Sequence, residues 1–293
     1  MPAGLDLAVL FLLGIITGGL SNVTSGGAGV FTIFFLTQYL GLVIQESTGT
    51  VLAASTVIVL VGAISFWRKG QVDRQLAMTV GLSGVAAAFV AAKWAAAINS
   101  GTLKAAFGAF TLALAFYTAA RLASEIRSKR RAKSGQAGGT APSLEPRLQY
   151  EALGQPTPQP SRWTGTDPLS LAVQVAKGVG IGLATGLFGV GLASLSIVLF
   201  LLLFRLDMRV VLGTSLFASF MRYLGGSVGY LSSGLIDPFY FVIIALGGTI
   251  GSFVGARIIL RGEGGSKDVY VKIIVIGVLL FVSFEFLLKG AVG

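Results

Sequence analysis

Two polar, glycine-rich stretches interrupt apolar sequence and carry residues that could hold a small solute. They read Ser21-Asn22-Val23-Thr24-Ser25-Gly26-Gly27-Ala28-Gly29 and Thr185-Gly186-Leu187-Phe188-Gly189-Val190-Gly191. Unwound backbone inside a membrane persists only where protein, water or a ligand satisfies its amide and carbonyl groups. Free amides at the start of the following helix suit an anion, and the hydroxyls add hydrogen bonds without fixed charge. The alternative is that the glycines only allow close helix packing.

Arg222 is a charged residue inside an apolar run. It lies near the middle of the apolar run Val210–Leu231, three residues after Ser219. A central arginine opposes membrane insertion by at least ~2.5–3.5 kcal/mol. No acidic residue lies within an obvious membrane core to pair with it, so we interpret Arg222 as the counter-charge of an anionic substrate. The alternative is snorkelling or binding to backbone carbonyls.

The composition indicates a membrane protein and excludes most enzyme chemistry. Of the 293 residues, 54% are hydrophobic and 12% are charged, whereas soluble domains carry roughly 25% charged residues. The absence of Cys and His removes thiol nucleophiles, histidine bases and most zinc, copper and haem sites. We therefore predict no enzyme, no catalytic residue, no metal site and no cofactor. The net charge is +10, and most of the basic residues lie in the gaps between apolar runs, which favours cytoplasmic loops over nucleic-acid binding.

The apolar runs predict an all-α polytopic membrane protein. Six runs are long enough to cross about 30 Å of hydrocarbon, and two pairs of shorter runs flank the glycine-rich stretches. The runs are Leu7–Leu20, Val30–Leu42, Thr48–Trp67, Leu76–Ala97, Leu103–Leu122, Leu169–Leu187, Leu192–Phe204, Val210–Leu231, Pro238–Leu260 and Val269–Leu288. Between them, residues 124–168 hold six of the eight prolines and a basic run. This composition predicts a solvated linker that is disordered or extended; the alternative is a contact with anionic lipid or a regulatory tail.

The two halves of the chain repeat each other at a constant offset of 164 residues. Gly49-Thr50-Val51-Leu52-Ala53-Ala54-Ser55 aligns with Gly213-Thr214-Ser215-Leu216-Phe217-Ala218-Ser219, and Asp73 aligns with Asp237. The partner of Arg222 is Ile58. Both aspartates are expected to be helix N-caps, with Pro238 in the first turn of its helix. We therefore predict a first transmembrane repeat at 1–123, the linker at 124–168 and a second repeat at 169–293.

The distribution of basic residues predicts that the repeats are inverted. If residues 169–204 form a hairpin that enters and leaves on one side, the basic loops of the second half share the cytoplasm with the linker. Each repeat is then a broken short-helix hairpin plus three long transmembrane helices. Because each repeat then crosses the membrane an odd number of times, the second repeat is inverted relative to the first. Both termini are predicted to lie on the outer side of the inner membrane.

The sequence resembles the TauE/SafE family of sulfite exporter-like permeases. The resemblance lies in the broken first helix, its counterpart at Gly182–Gly191 and the Gly-Thr-x-Leu-x-Ala-Ser element in both halves. The resemblance covers nearly the whole chain outside the linker. It implies transport of sulfur-containing anions such as sulfite, sulfonates or sulfoacetate across a prokaryotic inner membrane. We therefore predict a secondary transporter that works by alternating access. An anion channel, a carrier of another small anion or metabolite and an assembly subunit remain alternatives.

The predicted substrate site combines the two glycine-rich stretches, the repeated elements and Arg222. Its partners are a small anion and the lipid bilayer, and the sequence leaves open the coupling ion, a monomer and a homodimer. The predicted substrate-binding residues are Ser21, Asn22, Thr24, Ser25, Gly26, Gly27, Thr50, Ser55, Thr185, Gly189, Gly191, Thr214, Ser219 and Arg222.

Overall fold

The computed structural model describes residues 4–24, 29–133, 168–189, 208–261, 276–277 and 279–288. All regular secondary structure in these ranges is α-helical, which confirms the predicted fold class. The helices are α1 (Gly4–Thr24), α2 (Gly29–Gln38), α3 (Ile44–Trp67), α4 (Arg74–Ala97), α5 (Ser100–Lys133), α6 (Pro168–Phe188), α7 (Met208–Leu231), α8 (Pro238–Arg261) and α9 (Leu279–Leu288).

The helices belong to two compact units. The first unit holds α1 to α4 together with α6 to α8, and the second holds α5 from Lys104 onward together with α9. In the second unit the Ser283 hydroxyl donates to Thr111 Oγ1 over 2.9 Å. The rings of Phe107 and Phe286 meet edge to face with their centroids 5.1 Å apart.

Five helical segments among the described residues are long and apolar enough to cross a membrane: Ile44–Trp67, Arg74–Ala97, Ser100–Ala120, Pro168–Phe188 and Pro238–Arg257. Shorter apolar helices are Leu7–Ser21, Gly29–Gln38 and Leu279–Leu288. The 24-residue helix α7 matches α3 in length, but Arg222 near its middle makes it less apolar. The helices, like the composition, therefore indicate a protein that spans a membrane.

Three helices of the first unit occur twice at a constant spacing. The bounds of α6, α7 and α8 each lie 164 positions after those of α1, α3 and α4. The turns that follow α3 and α7 also match, because Gly70 and Gly234 adopt φ values of 68° and 69°. This left-handed conformation favours glycine in both turns.

Glycines bring the first helix of each copy against a helix of the other copy. Gly18 of α1 packs on Gly248 of α8, and its counterpart Gly182 of α6 packs on Gly84 of α4. In both places an added Cβ would collide with the facing backbone. Close approach of this kind is what small residues at membrane helix interfaces permit.

The helices that follow the turns begin as the sequence predicts. Asp73 Oδ1 accepts a hydrogen bond from the Leu76 amide over 3.0 Å, and Asp237 Oδ1 accepts one from the Tyr240 amide over 3.1 Å. Both aspartates therefore cap the first turn of a helix. Pro238 is the first residue of α8, where the missing amide hydrogen leaves no bond unmade.

The glycine-rich breaks begin later in the chain than the sequence indicates. Helix α1 continues to Thr24 and α6 to Phe188, so Ser21 and Thr185 lie inside helices. Their hydroxyls donate to Gly18 O and Ile181 O, each over 2.7 Å. These bonds to the preceding turn satisfy the polar side chains without unwinding the helix. The two helices that flank the first break also differ in length, since α2 has 10 residues and α1 has 21.

Candidate functional site

A polar cavity lies between α1, α2, α3 and α8 of the first unit. Its volume is about 10 Å³, which is room for about one water-sized solute. Four hydroxyl side chains face an otherwise apolar wall. The lining residues are Thr17, Ser21, Gly29, Thr32, Val51, Ser55, Ile58, Val59 and Ile244. The cavity therefore contains two of the predicted site residues, Ser21 and Ser55.

Thr17 and Thr32 were not among the predicted site residues. Thr17 precedes Ser21 by four positions, so helical periodicity alone places both hydroxyls on one face of α1. Thr32 lies on the short helix α2 and is 1% exposed. Its Oγ1 has no hydrogen-bond partner among the described residues, a property that the sequence does not reveal.

Arg222 lies wholly inside the first unit, with 0% of its surface exposed. Its Nη2 donates to Ser219 Oγ over 2.8 Å. Within the described part of the chain, Nε and Nη1 have no hydrogen-bond partner. The aliphatic stem passes over Gly84, where an added Cβ would stand 2.6 Å from Cγ and Cδ. The absent side chain at Gly84 thus makes room for the arginine.

Several residues that line the cavity of the first copy have polar counterparts in the second copy. At the offset of 164, Ile58 of the cavity becomes Arg222, and Ser55 becomes Ser219. Ser21 becomes Thr185, and Val51 becomes Ser215. Both Thr185 and Ser215 are 0% exposed, and Ser215 Oγ lacks a partner among the described residues. At these equivalent positions the second copy therefore has three hydroxyls and a positive charge.

Thr50 and Thr214 lie apart from these groups, at contacts between the copies. Thr50 Oγ1 accepts a hydrogen bond from the amide of Asp237 over 2.9 Å, and Thr214 Oγ1 accepts one from the amide of Asp73 over 3.0 Å. Each threonine thus holds the start of a helix in the opposite copy. Neither belongs to the set that lines the cavity.

The remaining predicted residues lie at or beyond the helix ends. Asn22 and Thr24 are in the last turn of α1. Gly189 follows α6 with a φ of 61° and donates its amide to Thr185 O over 2.8 Å. A Cβ on Gly189 would collide with the side chain of Thr48. Ser25, Gly26, Gly27 and Gly191 lie outside the described residues.

Within the ranges that the structure describes, no group of three or more His, Cys, Asp or Glu side chains could hold a metal ion. The polar groups that line the cavity or contact Arg222 are hydroxyls, backbone groups and the guanidinium itself. These groups can bind and orient a charged solute inside a membrane protein.

Comparison with known proteins identifies the family. The family model described as "Sulfite exporter TauE/SafE" matches residues 10–286. The chain belongs to the TauE/SafE family. Similar proteins include the "Probable membrane transporter protein YdhB" of Bacillus subtilis (strain 168), which is 26% identical over 253 residues, or 86% of this chain and 89% of that protein. The "Probable membrane transporter protein YunE" of the same organism is 22% identical over 262 residues, or 87% of this chain and 89% of that protein.

No solved structure matches the chain. The family and its apolar helices make this TauE/SafE protein a membrane transporter with a small-molecule substrate. The resemblance drawn from the glycine-rich motifs is therefore confirmed at the level of the family.

Proposed function

We propose that this TauE/SafE transporter moves a small sulfur-containing anion, such as sulfite or a sulfonate, across the inner membrane by alternating access. The observation that carries the proposal is the buried guanidinium of Arg222, whose Nε and Nη1 have no partner among the described residues. The family description, which names sulfite export, supports the choice of substrate class.

A buried guanidinium whose Nε and Nη1 lack partners in the described part of the chain is energetically costly unless an anion joins it. Polar and ionisable groups inside a membrane protein pair with one another, with backbone carbonyls or with a transported solute. Arg222 already gives Nη2 to Ser219, which fixes the orientation of the side chain. The N–H groups of Nε and Nη1 are then held ready for the oxygens of a sulfite or sulfonate, in charge-assisted hydrogen bonds.

Neutral hydroxyls complete the proposed anion site. Ser219 and Ser215 are the counterparts of Ser55 and Val51, which line the cavity in the first copy. Thr185, the counterpart of Ser21, already donates its hydroxyl to Ile181 O and offers only lone pairs. Ser215 Oγ is buried without a partner among the described residues, so its proton is available for a substrate oxygen. Together Arg222, Ser215 and Ser219 supply one positive charge and several donors, which matches a singly charged oxyanion.

The paired copies support a mechanism of alternating access. In our proposal the copies are inverted repeats that rock against each other about the site. The linker at 124–168 is cytoplasmic and both termini are outside. Thr50 and Thr214 hold equivalent contacts between the copies, so they lie where a rocking motion would break and remake bonds.

A binding experiment tests the anion site. Detergent-purified protein is heated with sodium salts of sulfite, methanesulfonate, sulfate and chloride, because a ligand at 100 times its Kd stabilises the folded state by about 2.7 kcal/mol. Sulfite or methanesulfonate is expected to raise the unfolding temperature of the native protein. Arg222→Ile should abolish that shift. Isoleucine is chosen because the equivalent site of the first copy already contains it.

The matched control is Arg257→Gln. Arg257 is exposed, and its guanidinium lies over the ring of Phe253 at 5.8 Å. Its removal changes the net charge by the same amount and should leave the anion-dependent shift intact. A folded Arg222→Ile protein that keeps the native shift would overturn the proposed anion site.

A further inference from the structure

The polar cavity of the first copy lacks the positive charge of its counterpart. Ile58 lines it where the second copy has Arg222. None of the lining side chains is ionisable. A site for a second anion would lack a counter-charge here, and a proton would have no titratable group to bind among these residues. We therefore expect an occupant of this cavity that is neither an anion nor a proton.

The orientation of the hydroxyls indicates that class. Thr17 Oγ1 donates its proton to Leu13 O over 2.7 Å, and Ser21 Oγ donates its proton to Gly18 O over 2.7 Å. A hydroxyl carries one proton and two lone pairs. Because both protons are taken by carbonyls of α1, only lone pairs remain for the cavity. These two oxygens therefore act as acceptors and would attract a cation.

Two further oxygens complete the set. Thr32 Oγ1 is 99% buried, lines the cavity and has no hydrogen-bond partner in the described part of the chain. Ser55 lines the same cavity from α3. Ser21 also lies in the last turn of α1, where the helix dipole is negative and favours a cation.

We propose that this cavity is a binding site for an alkali-metal cation, held by the hydroxyl oxygens of Thr17, Ser21, Thr32 and Ser55. All four ligands are neutral oxygens, which suit a hard monovalent ion. A divalent ion requires carboxylates or retained water to offset its dehydration, and no carboxylate lines the cavity. Ser21 and Ser55, which the sequence predicts as anion-binding residues, are thereby assigned to the cation site instead.

In transporters with broken helices, unwound carbonyls and the carboxyl ends of half-helices hold sodium while amide ends face the anion. If the proposed function holds, the cation in the first copy would be the coupling ion for the anion in the second. Binding of the cation does not itself depend on that function. Gly29 brings the amino end of α2 to the same cavity, so the test must also exclude an anion.

The test measures thermal unfolding in choline chloride, sodium chloride and potassium chloride at equal concentration. Since chloride is constant, a shift between these salts reports the cation. Sodium gluconate is compared with sodium chloride to detect an anion. We expect sodium or potassium to raise the unfolding temperature of the native protein relative to choline. The shift should be the same in sodium gluconate, and it should persist in Arg222→Ile.

Thr32→Val and Thr17→Val each remove one hydroxyl at constant shape, and each should abolish or strongly reduce the cation-dependent shift. Thr111→Val is the matched control, because Thr111 is a buried threonine of the second unit. Two different variants guard against one of them failing to fold. The proposal is overturned if the native protein shows no alkali-dependent shift, if both folded valine variants retain it, or if the shift follows the anion.

The two proposals fail in distinguishable ways. Loss of the alkali response with a retained response to sulfite or methanesulfonate removes the cation site alone. The reverse pattern removes the anion site alone.

Discussion

Ile58 and Arg222 occupy equivalent positions in the two copies of the repeated unit, and each packs against an equivalent glycine. Ile58 lies against Gly248, and Arg222 lies against Gly84. The same backbone framework therefore presents an apolar side chain in one copy and a guanidinium in the other. In our account this single difference separates a neutral cavity from an anion site.

Substitution of Gly84 by alanine should disturb the arginine directly. A Cβ at Gly84 would stand 2.6 Å from Cγ and Cδ of Arg222 and 2.8 Å from Gly178 O, so either the side chain or helix α6 must move. Overpacking of this kind typically destabilises by about 1–3 kcal/mol. We expect a lower unfolding temperature and a weakened response to sulfite or methanesulfonate.

Gly180→Ala supplies the matched control for that substitution. Gly180 also lies in a helix, and a Cβ there would have nothing within 4 Å. Alanine should be tolerated or slightly stabilising there, since it favours helix more than glycine does. Equal behaviour of the two variants would contradict the packing of Arg222 over Gly84.

The paired threonine contacts make a prediction about symmetry. Thr50→Val and Thr214→Val each remove the acceptor for the amide of an aspartate in the other copy. Each should destabilise by about 1 kcal/mol, and by similar amounts because the contacts are equivalent. Thermal unfolding in detergent would measure both.

Thr79→Val is a suitable comparison for these variants. Among the residues that the structure describes, the Thr79 hydroxyl bonds only to Gln75 O of its own helix, so its loss should have little effect. If the two cross-copy variants unfold at the native temperature, the contacts contribute nothing to holding the copies together.

The helix caps at Asp73 and Asp237 predict that alanine lowers the stability of the protein more than asparagine does. Alanine at either position removes the acceptor for an amide of the first turn and should destabilise by about 1 kcal/mol. Asparagine keeps an acceptor oxygen and should retain most of the stability. Unfolding temperatures that rank asparagine no better than alanine would argue against the capping role.

Much of the framework could be predicted from residue types and spacing. The aspartate caps, the start of α8 at Pro238 and the constant offset of 164 follow from local patterns. The caps are predictable because an aspartate acts within its own first turn. The offset also pairs Arg222 with Ile58 without knowledge of the fold.

Other features depend on contacts that are distant in sequence. Thr50 and Asp237 are 187 residues apart, and no local pattern identifies the threonine as an acceptor for that amide. The burial of Thr32 depends on how α2 packs, which its 10 residues do not determine alone. The breaks begin late because Ser21 and Thr185 bond to the preceding turn of their helices, an option that competes with unwinding.

A counterflow experiment in proteoliposomes tests the account most directly. Vesicles loaded with unlabelled sulfite or methanesulfonate are diluted into the same labelled anion, and uptake is followed in native protein, Arg222→Ile and Arg257→Gln. We predict transient accumulation above equilibrium in the native and Arg257→Gln vesicles, and none with Arg222→Ile. Uptake that is insensitive to the internal anion would indicate a channel, and native counterflow in Arg222→Ile would contradict the role of the buried arginine.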